Sequence, residues 1–203
     1  YEMTSSLVGS EMCIRDRWSA NDALGIFSGT KFVNAKFTTK DDNAASATFT
    51  GDATDAEGTE AAKAFAYYPY AAGATLEGTT VSGLEIPAVQ TFAEGTFATT
   101  LNPMAAVGED HTSLAFRSVG AVLRFKLTGT DTFNKLILTG NNDESIAGTY
   151  ALDFSGEVPA MTFSGEGKSI TVTCASDVTL KTDVATEVHF VVPAGIELSL
   201  IHI

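Results

Sequence analysis

Residues 121–128 read Ala-Val-Leu-Arg-Phe-Lys-Leu-Thr, and apolar and polar side chains alternate along most of this stretch. One face carries Ala121, Leu123, Phe125 and Leu127, and the other carries Val122, Arg124, Lys126 and Thr128. Alternation with a period of two is the pattern of a β-strand that buries one of its faces. The stretch therefore predicts a strand of a sheet that packs on a core.

The same alternation recurs along the chain. Further strands are predicted at Leu24–Phe27, Lys31–Thr39, Ala47–Thr50, Ala64–Tyr68, Leu136–Leu138, Tyr150–Phe154, Ile170–Cys174 and Val188–Val192, the last ended by Pro193. Helix is predicted to be minor, limited to Glu57–Lys63 or Met104–Val107. Strands about 8–15 residues apart, separated by Gly and Asn/Asp turns, predict an all-β antiparallel sandwich.

Two local connections are predicted in the second half. The turn-rich residues 129–132 and the loop Gly140–Asp143 predict that the strand at 121–128 and the strand at Leu136–Leu138 form a meander. Residues 164–168, Ser-Gly-Glu-Gly-Lys, predict a hairpin tip that leads into the strand at Ile170.

Both ends of the chain have the character of foreign sequence. Residues Glu11–Arg17 can be encoded by GAG ATG TGT ATA AGA GAC AGN, and residues Leu198–Ile203 can be encoded by CTG TCT CTT ATA CAC ATC. Over their shared core, these two DNA strings are reverse complements of each other. This inverted pair resembles a translated transposon-end sequencing adapter. Segments 1–17 and 198–203 are therefore predicted to be non-native, the alternative being a native N-terminal extension and a native last strand.

The remaining residues are predicted to be a fragment of a longer protein. Residues 18–112 are predicted as the first part of an N-terminal β region and residues 113–197 as a truncated second sandwich portion, with a weak break at Gly108–Asp110. With the ends set aside, Cys13 is not expected to pair with Cys174, and the missing signal peptide carries no information.

Charge disfavours two classes of partner. Twelve Lys and Arg against 25 Asp and Glu give the 203-residue chain a net charge of −13, and its few cations are scattered. Such a chain repels nucleic-acid phosphates and anionic lipid headgroups. Its apolar runs are also shorter than the roughly 18 residues of a membrane-spanning helix.

Catalytic motifs are missing from residues 18–197, which predicts that the protein is not an enzyme, with no cofactor and no metal site. Cys174 is predicted to be a buried thiol, His189 a structural side chain of a strand, and His111 part of a solvated loop. The carboxylates at Asp52, Asp55 and Glu57 lack the calcium-loop spacing and predict a solvated acidic loop.

The run Trp18–Phe27 resembles the W-x-x-x-D-x-[IL]-G-[IV]-[FY] opening of the fimbrillin family, the subunits of surface fimbriae in Gram-negative Bacteroidetes. Further segments similar to the family follow in order. They are Ala66–Tyr70 (AYYPY), Ile86–Pro87 before Gln90–Thr91, Pro103–Ala106 (P-M-x-A), Ser113–Lys126, Ile137–Leu138 with Ala147–Gly148, and Val191–Gly195.

The resemblance implies a transthyretin-like β-sandwich and a structural role. Fimbrillins are exported lipoproteins of the outer membrane that polymerise into pili when a strand from a neighbouring subunit fills a groove vacated by proteolysis. The expected partners are other fimbrial subunits, and host glycans or proteins are further candidates. The alternative function is a carbohydrate- or host-binding adhesin module of the fimbrial tip, which would act in cell adhesion. A secreted glycosidase accessory domain is a third class.

The signature residues are expected to be structural. They are Trp18, Asp22, Gly25, Phe27, Tyr67, Tyr68, Pro69, Tyr70, Gln90, Thr91 and Pro193. The aromatic rings are expected to lie between sheets, Gly25 to allow a close backbone approach, and Pro69 to end strand pairing. A sugar-binding platform made by the tyrosines is the competing interpretation.

Overall fold

The computed structural model describes residues 1–7, 17–197 and 201–202. Every regular element in these residues is a β-strand, and none of them is a helix, so the predicted all-β class is confirmed. The strands are β1 (Glu2–Leu7), β2 (Ala23–Ser28), β3 (Phe32–Thr39), β4 (Ser46–Gly51), β5 (Ala64–Tyr68), β6 (Thr75–Glu77), β7 (Thr80–Ile86), β8 (Val89–Ala93), β9 (Thr96–Phe97), β10 (Met104–Gly108), β11 (Ser113–Ser118), β12 (Gly120–Leu127), β13 (Thr132–Gly140), β14 (Gly148–Asp153), β15 (Ala160–Phe163), β16 (Ser169–Thr179), β17 (Thr186–Pro193) and β18 (Ile201–His202).

Seven strands form a closed barrel in the order β1-β11-β10-β5-β2-β3-β4. Alternation in β3 and β4 directs Phe37 and Phe49 inward, where both are fully buried. Their inner faces enclose a core that includes Trp18, Leu24 and Phe116. One of the sheets therefore closes on itself, a feature that the predicted open sandwich did not include.

The other strands form three further sheets. The sheet β15-β14-β7-β6 packs on the outer face of the barrel, where it shares a core with Phe27 and Tyr67. The pair β12-β17 packs against the sheet β18-β13-β16-β8-β9, and Phe190 of β17 and Val172 of β16 lie in their common core. Most strand pairs are antiparallel, while β1 with β11 and β8 with β16 are parallel.

The stretch from Ser113 to Lys126 is not one strand. It divides at Val119, so that β11 belongs to the barrel and β12 pairs with β17. The predicted boundary between residues 112 and 113 also falls between β10 and β11, which are hydrogen-bonded neighbours. No break between sheets therefore coincides with that boundary.

Three local predictions are wrong. The expected meander does not form, because β12 pairs with β17 and β13 pairs with β16. The expected hairpin at residues 164–168 does not form either, since β15 pairs with β14. Met104–Gly108 is the strand β10, and residues 57–63 contain turns and irregular backbone in place of a helix. Alternation locates a strand but carries no information on its partner.

Candidate strand-acceptor site

The strand β1 closes the barrel by lying between β4 and β11. It runs antiparallel to β4, with Thr4 opposite Thr48, and parallel to β11, with Thr4 beside Ser113. The Thr4 amide donates to the Thr112 carbonyl at 2.8 Å, and the Gly51 amide donates to the Tyr1 carbonyl at 3.1 Å. Backbone hydrogen bonds on both edges thus hold β1 in the barrel.

Side chains of β1 alternate between the core and solvent. Met3 and Ser5 point inward, with exposed fractions of 2% and 0%, while Glu2 and Thr4 are exposed. The buried Ser5 hydroxyl has no hydrogen-bond partner among the described residues. A buried polar group left unsatisfied costs about 1–3 kcal/mol, so an apolar side chain at this position would fit the site better.

The side chains that line this site are apolar. Ala47 and Phe49 of β4 and Leu114 and Phe116 of β11 are buried on either side of β1. We call the space between β4 and β11 that β1 fills the acceptor groove. Sequence analysis did not single out this groove, because β1 lies in the segment predicted to be non-native, although alternation at Ala47–Thr50 correctly predicted β4.

Trp18 lies at the centre of the barrel core. Its ring makes edge-to-face contacts with Phe49 at 5.0 Å, Tyr68 at 5.4 Å and Phe116 at 5.4 Å between ring centroids. Its backbone is held to Ala44 by two hydrogen bonds of 2.7 and 3.2 Å. Aromatic pairs in this geometry contribute about 0.5–1.5 kcal/mol each beyond the area that they bury.

Asp22 links the start of β2 to the end of β5. Its Oδ1 accepts a hydrogen bond from the Tyr68 hydroxyl at 2.7 Å, and its Oδ2 accepts one from the Ser19 amide at 2.8 Å. The Tyr68 oxygen in turn accepts a hydrogen bond from the Thr100 amide at 2.9 Å. This buried network satisfies the polar atoms of the two signature residues, as buried polar groups require.

Tyr67 packs directly over Gly25. A Cβ placed on Gly25 would lie 2.3 Å from Cε1 of Tyr67, so only glycine fits under the ring. The Tyr67 hydroxyl lies 2.6 Å from Oδ1 of Asn34 and 2.9 Å from the Ala71 carbonyl, and Phe27 stacks nearby. Burial raises the pKa of the Tyr67 phenol above its usual range. Gly25 therefore lets the ring of Tyr67 lie directly against the backbone of β2.

The tyrosines do not form an open platform. Tyr67 is 0% exposed and Tyr68 is 2% exposed, so neither ring can stack on a sugar. Tyr70 is half-buried, and Nζ of Lys36 lies 5.3 Å from its ring centroid. Pro69 follows the last residue of β5, and beyond it the Tyr70 amide donates to the Ala23 carbonyl of β2 at 2.9 Å. A sugar platform made by these three rings is therefore excluded.

Gln90 joins two sheets through its side-chain amide. Its Nε2 donates to the Val191 carbonyl at 2.7 Å, and its Oε1 accepts from the Val191 amide at 2.9 Å. The side chain thereby occupies the edge of β17 that faces away from β12. Thr91 is exposed beside Thr173 of β16, and Pro193 is buried at the end of β17 opposite Gly120.

His111 is buried, which corrects the predicted solvated loop. Its Nδ1 lies 2.8 Å from Oε2 of Glu60, and its ring centroid lies 4.6 Å from that of Phe32. Lys31 bridges to the other Glu60 oxygen at 3.3 Å and lies over the ring of Tyr1. The residue is buried because its ring packs among the rings of Tyr1, Phe32 and Phe37.

His189 and Cys174 have structural positions. The His189 side chain is fully buried on β17, and its Nε2 lies 3.9 Å from Oε2 of Glu187. Desolvation lowers the pKa of His189. Cys174 is half-buried, less enclosed than predicted, and burial raises the pKa of its thiol. A raised thiol pKa reduces the thiolate fraction that a nucleophile needs.

The described residues offer little for binding small ligands. A concavity of about 10 Å³ lined by Trp18, Asp22, Tyr68 and Asn102 is far smaller than the ~300–1,000 Å³ of typical ligand pockets. Asp52, Asp55 and Glu57 are exposed, and within the described ranges no three His, Cys, Asp or Glu side chains are placed to share a metal ion. The same ranges contain no helix long and apolar enough to cross a membrane. Cys13 lies outside the described residues, as does the predicted non-native sequence at 8–16, 198–200 and 203.

Comparisons with protein-family models, with curated proteins and with solved structures found no match to this chain. The fimbrillin resemblance therefore stays a prediction made from the sequence.

Proposed function

We propose that this protein is a structural subunit of cell-surface fimbriae, and that neighbouring subunits join by donating a β-strand to the acceptor groove. The observation that carries the proposal is the position of β1. Although β1 lies in the segment predicted to be non-native, β4 and β11 accept it between them with backbone hydrogen bonds on both edges.

Backbone pairing makes the groove tolerant of different occupants. Added strands obtain affinity from main-chain hydrogen bonds and register from side-chain pockets at alternate positions. In the acceptor groove, one pocket receives the side chain of Met3 and the next receives that of Ser5. The Ser5 hydroxyl has no hydrogen-bond partner among the described residues. A donor strand with two apolar side chains at these positions would bind more tightly than β1.

The resemblance supports the remaining parts of the proposal. Export as a lipoprotein, a location at the outer membrane and assembly with other fimbrial subunits are the properties of the family that the signature segments resemble. The enclosed positions of Trp18, Tyr67 and Tyr68 support a structural role for this signature.

The proposal is tested with the full-length gene product in a Gram-negative Bacteroidetes host. We expect surface fractions to give ladders of bands on unheated denaturing gels and antibodies to label filaments along their length. Monomer alone would contradict the proposal. Specific binding on a glycan array without filaments would instead support the adhesin alternative.

A matched pair of variants locates the assembly site. The Gly51 amide points to β1, so alternation also points the Ala47 amide into the groove and the Thr48 amide away from it. Ala47→Pro removes one donor to the incoming strand, and Thr48→Pro inserts the same ring one residue away. We expect Ala47→Pro to reduce the ladder and Thr48→Pro to retain it. Thermal melting of both monomers controls for misfolding, and equal ladders from two folded variants would count against the groove.

A further inference from the structure

A second open sheet edge lies outside the barrel, along β12. This strand of eight residues pairs with β17 on one side, and no other strand of the described residues pairs with its second side. Its outer edge is therefore a row of backbone donors and acceptors that face away from the protein.

The contacts of Gln90 identify which backbone groups face this edge. Because both polar backbone groups of Val191 bind Gln90, the pair of Val191 with Val122 exchanges no backbone hydrogen bonds. In an antiparallel pair such positions alternate, so the amides and carbonyls of Val122, Arg124 and Lys126 all point to the free side. These three residues form the open edge.

The two faces of β12 differ in chemistry. Leu123, Phe125 and Leu127 pack on the core shared with β17, yet each of them is only half-buried. Arg124 and Lys126 are exposed on the opposite face, where a single carboxylate, Glu187, lies 3.9 Å from Arg124 and 3.3 Å from Lys126. A strand added at this edge would cover Leu123, Phe125 and Leu127 on one face. On the other face it would contact Arg124 and Lys126, which share the single carboxylate of Glu187.

A second copy of β12 fits this edge poorly. Consider two copies of β12 that pair antiparallel, with both apolar faces on the same side of the sheet. In the register that places Arg124 of one copy opposite Arg124 of the other, two guanidinium groups face each other. Like charges directly opposite on a sheet are destabilising, whereas opposite charges stabilise a pair by roughly 0.2–1 kcal/mol. The charge pattern therefore selects an acidic strand over another copy of the same strand.

We propose that the open edge of β12 binds an extended acidic segment of another polypeptide, with apolar side chains at alternate positions and Asp or Glu between them. Its apolar residues lie over Leu123 and Phe125, and its carboxylates face Arg124 and Lys126. This site is separate from the acceptor groove, since β12 pairs with no barrel strand.

The test uses the full chain and two labelled peptides, SVEVEVS and SVKVKVS, with capped ends. We expect the acidic peptide to bind about tenfold more tightly than the basic one in fluorescence anisotropy, from two matched charge pairs. Hydrogen exchange should slow at the amides of Val122, Arg124 and Lys126 and remain unchanged at Ala47 and Phe49 in the groove. Equal affinity of the peptides, or protection confined to the groove, would overturn the proposal.

Two variants make the result specific. The double change Arg124→Glu and Lys126→Glu keeps the backbone edge and should reverse the preference between the peptides. Arg124→Pro removes an outward amide and should weaken both peptides, because proline is tolerated at a strand edge but donates no hydrogen bond. An unchanged preference in the charge-reversed protein contradicts the proposal even if the proline variant does not fold. Dimerisation of the unmodified chain through these amides would identify a second copy as the occupant and would also overturn it.

Discussion

At some signature positions, the surrounding contacts accept only one type of residue. Gly25 is the clearest case, because the ring of Tyr67 occupies the space of a Cβ and is itself held by Asn34 and Ala71. The sequence could predict a close approach at Gly25, because glycine inside a strand pattern indicates one. It could not predict that Tyr67 is the ring involved, since the two residues are distant in the chain.

Gly25→Ala should destabilise the protein by about 1–3 kcal/mol, the range for overpacking a core. Urea denaturation measures the effect. Gly73→Ala is the matched control, because a Cβ at Gly73 meets no atom within 4 Å and the change should stay within about 0.5 kcal/mol. Equal stability of Gly25→Ala and the unmodified chain would show that the ring does not press on this glycine.

His189 should make stability depend on pH. Its folded-state pKa lies below the usual 6.5 because burial disfavours the charged ring, while a backbone hydrogen bond at Thr96 and the charge of Glu187 oppose this shift and Arg124 reinforces it. The unfolded chain therefore binds a proton at a higher pH than the folded chain does. The contribution of His189 is fully present above about pH 6.5 and is lost as the pH falls toward the folded-state pKa.

The measurement is the free energy of unfolding at pH 7.5 and pH 5.5. We expect His189→Leu to lose less stability than the unmodified chain over this interval. Glu187→Gln, measured in parallel, separates the contribution of the neighbouring carboxylate. An identical loss in the histidine variant and the unmodified chain would contradict the assignment.

Among the elements, β17 shows how one side chain can substitute for a strand. Gln90 binds both polar backbone groups of Val191, so these two groups, which face away from β12, are satisfied without a further strand. Glutamine is suited to this position because its amide presents one donor and one acceptor.

Gln90→Ala should cost about 2–4 kcal/mol, because it leaves a buried amide and a buried carbonyl without partners. Chemical denaturation gives the value. Thr91→Ala changes the exposed neighbour on the same strand and should have little effect. A loss below about 0.5 kcal/mol in Gln90→Ala would mean that other groups or water satisfy Val191.

Strand positions were more predictable than strand partners. The alternation at Ala64–Tyr68 gave the bounds of β5, and the pattern at 121–128 gave most of β12. The division of Ser113–Lys126 at Val119 was not predicted, because both of its parts have the same period. The partner of β12 lies more than 60 residues later in the chain, and pairing at that distance is decided by packing.

At the scale of the whole molecule, the two proposed sites for added strands lie on a closed barrel and on a narrow two-stranded sheet. The acceptor groove is occupied by β1, and the outer edge of β12 pairs with no strand of the described residues. The composition predicted sheets and disfavoured nucleic-acid partners, but the barrel became visible only in three dimensions, since the terminal segment that closes it carries the signal of non-native sequence.

The most direct test of strand donation uses a chain that begins at residue 17 and a peptide of residues 1–7. We expect one peptide to bind per chain, to protect the amides of Ala47, Phe49 and Gly51 from hydrogen exchange, and to bind several-fold more tightly with Ser5→Val, which removes a buried hydroxyl without a partner. A peptide carrying Met3→Asp should not bind, because it places a charge in the barrel core. Absence of binding by a folded chain, or protection of these amides before any peptide is added, would contradict the groove as the site of strand donation.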